Sequence, residues 1–329
     1  MLVLTDNLGY GEGFLHGKPN WRRVARGQLP GPITKLGSKL FSSDALYTTE
    51  IASSDLWDYL LLVEHAEESQ FDVLADLSST VSELPSGILC CAGSGENFHG
   101  FKGRAWAAVP GNLHLSVLLR PCQEIEGSGV AFIVLAVVSV LETLDYLDVL
   151  TEPAVVKWVN DILVGGSKLG GVLAQVQTQA ETVTSAVLGI GLNIETTPQV
   201  PPTPFVPKVA ALHEFARDSK RCSPREVLEI LEPRLATNYR KLGVNGLSGL
   251  LEVYRRRSIV IGKDVTIYED LLENRSREIV RGRVQSIGDG LELVIEGVES
   301  PVFRGRLALR ASGGATITSH LGPRDRIVG

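Results

Sequence analysis

A short stretch of the chain brings together residue types that can hold two anions at one point. Lys157, Asn160 and Asp161 come first, and Lys168 follows beyond a Gly-Gly pair at 165–166. The flanking residues predict two strands joined by that glycine turn, which places two ammonium groups and a carboxylate at adjacent strand ends. Cations are needed where a carboxylate must meet a nucleotide phosphate. The pattern therefore indicates activation of an acid by ATP.

Each of these side chains has an interpretation in that chemistry. We assign Lys168 to both the carboxylate and the α-phosphate, because a flexible ammonium suits a charge that moves during the reaction. Lys157 would hold a phosphate or the acyl oxygen, and Asp161 would carry Mg²⁺ through water or orient a lysine. The alternative is that both lysines are solvated charges at strand ends and that Asp161 caps a turn. An isolated Lys-x-x-Asn-Asp favours that alternative, and the ordered motifs described below reverse the preference.

Two adjacent glycines follow the second lysine. Gly170 and Gly171 would let the backbone approach a ligand closely, because no Cβ intervenes. A tight packing position between strands is an equally good interpretation of the same pair. The sequence leaves both open.

The elements that must position these residues follow from the hydrophobic pattern. Short apolar runs separated by glycine turns predict strands, and a long apolar run predicts a buried helix over 130–147. The predicted strands are 87–92, 113–119, 155–158, 162–164, 169–177 and 186–193. A glycine-rich loop covers 93–104. This succession favours a mixed or antiparallel sheet over a regular alternation of strands and helices.

Two further helices are predicted from their start signals. Ser53, Ser54 and Asp55 can cap a helix, since short polar side chains accept from the unpaired N–H groups of a first turn. The apolar face of that helix would consist of Trp57, Leu60, Leu61 and Val63. A second helix covers 223–242, where Ser223 and Glu226 have the spacing of a capping box.

Changes in residue composition and hydrophobic pattern divide the chain into four segments. Residues 1–44 are glycine-rich and lack a helix-turn-helix pattern, so we expect an extension packed on the main domain or partly disordered. A main domain covers 45–256. Short strands with glycine turns predict a small all-β module over 257–311, and the tail 312–329 is expected to be mobile.

Composition bounds the class of protein. The chain has 329 residues, 44% hydrophobic and 21% charged, which is typical of a soluble globular protein with a large core. The net charge of −6 argues against a basic nucleic-acid surface. We expect no secretory signal and no membrane segment, because the most apolar run, 130–141, is about half the roughly 20 residues that span a bilayer. The cysteines lack metal-ligand spacing, so reduced thiols in the cytoplasm are expected.

Several ordered motifs together resemble one family. The segments 157–161 and 168–173 resemble the signature of biotin protein ligases, and 189–193 is similar to the Gly-x-Gly-x-Asn strand end of that family. The segment 103–106 resembles the end of the family's Gly-Arg-rich loop, and 304–310 the close of its C-terminal domain. The resemblance covers roughly 46–311.

The resemblance implies a fold and an activity. The fold would be α+β, a mixed, mostly antiparallel sheet with packed helices (a class II aminoacyl-tRNA synthetase-like ligase core) plus a C-terminal SH3-like β-barrel. The activity would be formation of biotinyl-5'-AMP from biotin and ATP with Mg²⁺, then transfer of biotin to a lysine of a carboxylase carrier domain. The expected partners are that domain and a second copy of the chain, with no nucleic acid and no membrane.

The resemblance also implies roles for individual residues. Arg104 would join Lys168 and Lys157 as a catalytic residue. The residues expected to bind biotin are Ser53, Ser54, Asp55, Gly103, Trp106 and Gly171, with the serine hydroxyls on the ureido ring. Those expected to bind ATP are Lys102, Asn160, Asp161 and Asn193. A helix cap at Ser53, a core tryptophan at 106 and a strand-end turn at Asn193 are the alternatives.

The chain departs from the family in its loop. In an ungapped match the family has arginine where this sequence has His99 and Phe101, and it has proline in place of Val159. Alternatively the loop starts at 92–95 with a few residues inserted, and neither match restores the arginines. Loss of one cationic contact costs about 1.5–3 kcal/mol, which predicts a leakier or slower ligase unless Lys102 or His99 compensates.

Two other functions are kept open. A lipoate or octanoate ligase is favoured by the apolar Phe98 and Phe101 and opposed by the lack of an Arg-Arg-x-Ser-Gly-Gly-Gly loop. A non-catalytic protein that binds biotin or a carrier domain is favoured by the altered loop and opposed by the two lysines.

Overall fold

The computed structural model describes residues 1–53, 55–269 and 277–310, and in this part of the chain it shows two compact units. The larger unit contains Met1–Ile259 together with Asp289–Leu291. The smaller unit contains the described residues of Val260–Gly288 and those from Glu292 onward. Each unit has its own sheet.

The larger unit contains a large sheet and six α-helices among its described residues. The strands are β1 Leu2–Thr5, β2 Arg22–Ala25, β3 Ala45–Glu50, β4 Tyr59–Ala66, β5 Ile88–Gly95, β6 Leu113–Leu119, β7 Gln123–Glu124, β8 Val155–Lys157, β9 Asp161–Val164, β10 Ser167–Gln179 and β11 Thr182–Leu192. The helices are α1 Leu8–Phe14, α2 Gly31–Leu40, α3 Gln70–Thr80, α4 Ser128–Leu147, α5 Pro224–Asn245 and α6 Ser248–Arg256.

The strands lie in the order β2-β3-β1-β4-β5-β6-β11-β10-β9-β8, with β7 paired to β11. Only β1 with β4 and β4 with β5 run parallel, and the other pairs are antiparallel. The predicted mixed, mostly antiparallel sheet with packed helices is therefore confirmed. Strand β6 has the predicted bounds, and β8 to β11 lie where the apolar runs placed them.

The core of this unit contains the predicted apolar helix. Helix α4 is long and apolar enough to cross a membrane, yet 72% of its most apolar window is buried inside the protein. It packs against α5 and β10, which confirms a core helix. Helix α5 begins with the predicted capping box, in which Ser223 Oγ accepts from the Glu226 amide and the Ser223 amide donates to Glu226 Oε2.

The helix predicted after Asp55 is wrong. The apolar residues that suggested a helix face lie in strand β4 or just before it, and β4 is flanked by β1 and β5. Leu60, Leu61, Leu62 and Val63 are all buried. A continuous apolar run of this length fits a strand buried on both faces as well as a helix, and periodicity cannot separate them. The helix in this part of the chain is α3, which begins at Gln70.

Residues 1–44 contribute to the same sheet. Strand β1 pairs with β3 on one side and β4 on the other, and Val3 and Leu4 are completely buried. Helix α2 buries Ile33 and Leu36. The sequence signal was weak because β1 is short and glycines interrupt α1.

The smaller unit is all β in its described residues. Its strands are β12 Asp264–Tyr268, β13 Glu278–Ile287, β14 Leu293–Ile295 and β15 Arg306–Leu309, in the order β14-β13-β12-β15. Buried Val265, Ile267, Val284 and Leu293 form its core. The tail predicted to be mobile lies outside the described residues.

Candidate active site

One cleft of the larger unit gathers most of the predicted chemistry. Its lining comes from the start of α3, the loop after β5, β6, β9, β10 and the end of β11. The lining residues are 69–71, 98–101, 104–106, 114–116, 160–161, 168, 171–173 and 189–191. Of the predicted residues, the cleft includes Arg104, Trp106, Asn160, Asp161, Lys168 and Gly171.

The ion pair between Lys168 and Asp161 is the charged centre of the cleft. The Lys168 ammonium lies 2.6 Å from Asp161 Oδ1, and both side chains are partly exposed. Pairing of β9 with β10 places Gly171 directly opposite Asp161 and Lys168 opposite Leu163. The ammonium is therefore held by a neighbouring strand and still faces solvent, as a group that meets an anionic ligand must.

Lys157 contacts groups inside the protein. Its side chain is buried, its ammonium donates to the Phe205 carbonyl at 2.5 Å, and Asp161 Oδ2 lies 3.9 Å away. Lys157 is not among the cleft residues. In this structure its ammonium points toward Phe205 and Asp161, and a contact with a phosphate or the acyl oxygen stays a prediction.

Asp161 is engaged by both ammonium groups, which bears on its predicted metal role. In the part of the chain that the structure describes, no group of three or more His, Cys, Asp or Glu could hold a metal ion. A carboxylate oxygen 2.6 Å from an ammonium is already compensated. The structure shows Asp161 in contact with a lysine, the second of its two predicted roles, and its contact with Mg²⁺ stays a prediction.

Asn160 and Asn193 have structural contacts. The Asn160 amide donates to the Val172 carbonyl at 2.6 Å and so fixes β9 to β10 at the cleft. The Asn193 amide donates to the Ala210 carbonyl at 3.2 Å, and Asn193 lies outside the cleft lining. Asn193 Oδ1 is buried with no hydrogen-bond partner among the described residues.

The structure separates the two readings of the glycine pair. A Cβ on Gly170 would lie 2.3 Å from the Gly191 carbonyl oxygen, so Gly170 is a packing position. A Cβ on Gly171 would lie no closer than 3.5 Å to its neighbours, which is ordinary contact. Packing does not require glycine at 171, and this residue lines the cleft.

Trp106 forms one wall of the cleft. A Cβ on Gly191 would lie 2.6 Å from the indole, so the ring packs directly on the β11 backbone. The indole N–H donates to His114 Nδ1 at 3.2 Å, and His114 Nε2 lies 3.2 Å from the Val109 carbonyl. Burial lowers the pKa of His114 to about 4, so its imidazole is neutral at neutral pH.

The divergent loop has contacts of its own. His99 Nε2 lies 2.9 Å from both carboxylate oxygens of Asp72 on α3, and its Nδ1 lies 3.0 Å from the Gly100 carbonyl. The Gly100 carbonyl and then Asp72 raise the pKa of His99. Phe101 is 40% exposed, and the charged ends of Lys102 and Arg104 each lie 5.7 Å from its ring centroid.

Other predicted site residues lie elsewhere. Gly103 has φ +70°, which accounts for glycine there, and neither it nor Lys102 lines the cleft. Ser53 and Asp55 are exposed in the turn after β3, where Ser53 Oγ donates to the Trp57 carbonyl at 3.2 Å. They do not reach the cleft because β4 is a strand leading away from that turn. Ser54 lies outside the described residues.

Ser69 and Gln70 are cleft residues that the sequence analysis missed. Gln70 is 1% exposed and its amide nitrogen donates to the His114 carbonyl at 2.6 Å. Its Oε1 is buried with no hydrogen-bond partner among the described residues. The sequence did offer a signal for them. Ser69 lies three residues before Asp72 and precedes an apolar run, and this spacing predicts the start of a helix.

Comparisons with known proteins define the class. The model of the biotin/lipoate A/B protein ligase family matches residues 70–193. A biotin–[acetyl-CoA-carboxylase] ligase from Mycobacterium tuberculosis is 31% identical over 211 residues, covering 60% of this chain and 74% of that protein. One from Paracoccus denitrificans is 26% identical over 204 residues, covering 60% and 79%.

A solved structure has the same fold. An Aquifex aeolicus biotin protein ligase variant in complex with biotin superimposes with a TM-score of 0.58 at 20% identity, over 78% of this chain and 99% of that one. The chain belongs to the biotin protein ligase family.

Proposed function

We propose that this chain is an ATP-dependent biotin protein ligase that forms biotinyl-5'-AMP and transfers biotin to a lysine of a carboxylase carrier domain. The observation that carries the proposal is the Lys168–Asp161 ion pair, which is partly exposed in the cleft opposite Gly171. The two bacterial relatives, which are named as ligases acting on acetyl-CoA carboxylase, support the same activity.

In the first step, a carboxylate oxygen of biotin attacks the α-phosphorus of ATP and pyrophosphate leaves. Both reactants are anions, so their approach needs a cation that does not have to reorganise. The Lys168 ammonium is already oriented by Asp161 at 2.6 Å and serves this purpose. Arg104, which also lines the cleft, supplies a second positive charge for the phosphates.

In the second step, the neutral amine of the acceptor lysine attacks the carbonyl carbon of the mixed anhydride. The carbon–oxygen bond to AMP breaks and its electron pair leaves with the AMP phosphate, while an amide forms and the amine passes its proton to water. No covalent bond to the ligase is needed, because the nucleophile belongs to the acceptor. The ligase contributes orientation and keeps the positive charge of Lys168 beside the departing phosphate.

Gln70 favours biotin over the alternative acids. Its buried Oε1 is an acceptor that lacks a partner among the described residues. The ureido ring of biotin carries N–H donors, whereas lipoate and octanoate offer none beyond the acid group. An unsatisfied buried acceptor costs about 1–3 kcal/mol, so the cleft gains most from a ligand with such a donor. We assign the ureido contact to Gln70 with Ser69, in place of Ser53 and its neighbours.

Several further assignments belong to the same proposal. The larger unit would be the class II aminoacyl-tRNA synthetase-like ligase core, and the four-stranded sheet of the smaller unit the SH3-like barrel of the family. Lys102, Asn160 and Asn193 would contact ATP or hold the elements that do. We place the protein in the cytoplasm, with a homodimer as the expected assembly and no nucleic-acid partner.

The test is transfer to a defined acceptor. The full-length chain is incubated with magnesium-ATP, a panel of carrier domains and one of biotin, lipoate or octanoate, and each carrier is weighed by mass spectrometry. We expect a mass increase equal to one biotinyl group on one carrier lysine. If the carrier were modified with lipoate or octanoate and not with biotin, that acid would be the substrate instead of biotin. Biotin binding without modification of any carrier would favour a binding protein.

A further inference from the structure

His114 is a buried residue that contacts two walls of the cleft in two different ways. Its imidazole accepts from the Trp106 indole N–H at 3.2 Å. Its backbone carbonyl accepts from the Gln70 side-chain amide at 2.6 Å. The residue is 3% exposed and lies on β6, whose register with β11 is fixed by backbone pairing. The two walls are therefore anchored at one point of a central strand.

The hydrogen bonds define the tautomer of the imidazole. The Nε2 atom lies 3.2 Å from the Val109 carbonyl, which can only accept, so Nε2 carries the proton. Nδ1 is then the acceptor that the indole N–H requires. A protonated imidazole would present N–H groups on both nitrogens and would lose the contact with Trp106. Burial favours the neutral form, which is consistent with this arrangement.

The surroundings of His114 hold its ring in place. Phe98 packs edge-on against it with ring centroids 5.8 Å apart, and Trp106 packs edge-on at 6.3 Å. The indole in turn lies on Gly191, where a Cβ would come within 2.6 Å of it. The packing on Gly191 and the hydrogen bond to His114 Nδ1 together position the indole.

We propose that His114 is a positioning residue that sets the affinity of the cleft for its acid by orienting Trp106. Trp106 presents an apolar aromatic face to the ring system of the acid, and the carbonyl of His114 directs the Gln70 amide so that its oxygen remains an acceptor for an N–H donor. The acid that fits has an apolar body with N–H donors at its head. This inference rests on the proposed function, since biotin is such an acid.

The variants separate the imidazole from the backbone. His114→Asn keeps an acceptor oxygen near the position of Nδ1, whereas His114→Leu removes the acceptor. Both keep the backbone carbonyl that holds Gln70. Trp106→Phe removes the donor and keeps an aromatic face, and each His114 change is also made in that background.

Two measurements are made on the full-length protein. The first is the dissociation constant for biotin by calorimetry, alongside the KM for ATP. The second is the indole N–H resonance of Trp106 in a ¹⁵N–¹H spectrum, identified by its absence in Trp106→Phe. Thermal unfolding shows whether each variant is folded. Should His114→Leu not fold, Trp106→Phe takes its place as the variant that removes the hydrogen bond, and His114→Asn is compared with and without it.

We expect His114→Leu to weaken biotin binding about 2- to 12-fold, the equivalent of one hydrogen bond, with the KM for ATP changed by less than about twofold. His114→Asn should recover most of the affinity, and the indole resonance should move in His114→Leu. In the Trp106→Phe background, the His114 changes should add nothing further. The inference would be overturned if His114→Leu lowered biotin affinity as much in the Trp106→Phe background as in the unaltered protein. An unmoved indole resonance in His114→Leu would overturn it as well. Absence of carrier modification by the unaltered protein would instead refute the proposed function, since the resonance is read without catalysis.

Discussion

Replacing Lys168 by methionine should abolish most of the first half-reaction while leaving the protein folded. Methionine keeps an unbranched side chain out to Cε and removes the ammonium that lies 2.6 Å from Asp161. Removal of one preorganised group that stabilises developing charge costs about 10²–10³ in kcat. We therefore expect pyrophosphate release from ATP and biotin, without any carrier, to slow by about 10²- to 10³-fold.

The structural cost of the same change is small. The Lys168 and Asp161 side chains are 23% and 18% exposed, so their ion pair is partly screened. Asp161 also keeps Lys157 as a counter-cation at 3.9 Å, so no carboxylate is left uncompensated. A partly exposed pair contributes on the order of 1 kcal/mol or less, which corresponds to a lowering of Tm by about 2 °C or less for a chain of 329 residues.

The assay is single-turnover pyrophosphate release, with thermal unfolding measured on the same samples. Lys39→Met is the matched control, because Lys39 is exposed on α2 and does not line the cleft. If Lys168→Met released pyrophosphate within about fivefold of the unaltered rate, Lys168 would not be the group that stabilises the charge developing at the α-phosphate. A melting temperature lowered by more than about 10 °C would show that the residue acts through the fold.

Four other outcomes are expected. Lys157→Met should lower the melting temperature more than Lys168→Met does, because a buried carbonyl loses its donor at about 1–3 kcal/mol, and it should slow pyrophosphate release less. Gly171→Ala should leave stability within about 0.5 kcal/mol and weaken substrate binding, whereas Gly170→Ala should cost about 1–3 kcal/mol in chemical denaturation. Phe101→Arg should slow release of biotinyl-5'-AMP by about tenfold or more. The release is measured as labelling of bystander proteins. Because the pKa of His99 is raised in the folded protein, its contribution to stability should be present at low pH and lost as pH rises through that pKa; His99→Gln should remove this pH dependence of Tm.

The sequence predicted the elements whose signals are local. Strand β6 and helix α4 have long apolar runs, and α5 begins with a capping box visible as Ser223 and Glu226. The Lys168–Asp161 contact followed from a hairpin whose two strands are adjacent in the chain. In each case, the residues that decide the structure lie within a few positions of one another.

The remaining features depend on distant parts of the chain. Strand β4 resembles a helix in sequence until β1, more than 50 positions earlier, is known to lie beside it. Lys157 was expected in the cleft, but its partner is a carbonyl 48 residues away that no local pattern reveals. Gln70 was missed because its orientation depends on a carbonyl of β6, 44 residues further on.

In the proposed function, selection and activation of the acid come from different elements of the fold. Gln70 begins α3 and Trp106 follows the divergent loop, whereas Lys168 and Asp161 belong to the β9–β10 hairpin. The hairpin is closed by its own backbone pairing and by the hydrogen bond from the Asn160 amide to the Val172 carbonyl. We therefore expect His99 and Phe101, where the family has arginine in an ungapped match, to affect retention of the intermediate while the Lys168–Asp161 ion pair is kept. This separation predicts that loop variants change release of biotinyl-5'-AMP, and hairpin variants change its formation.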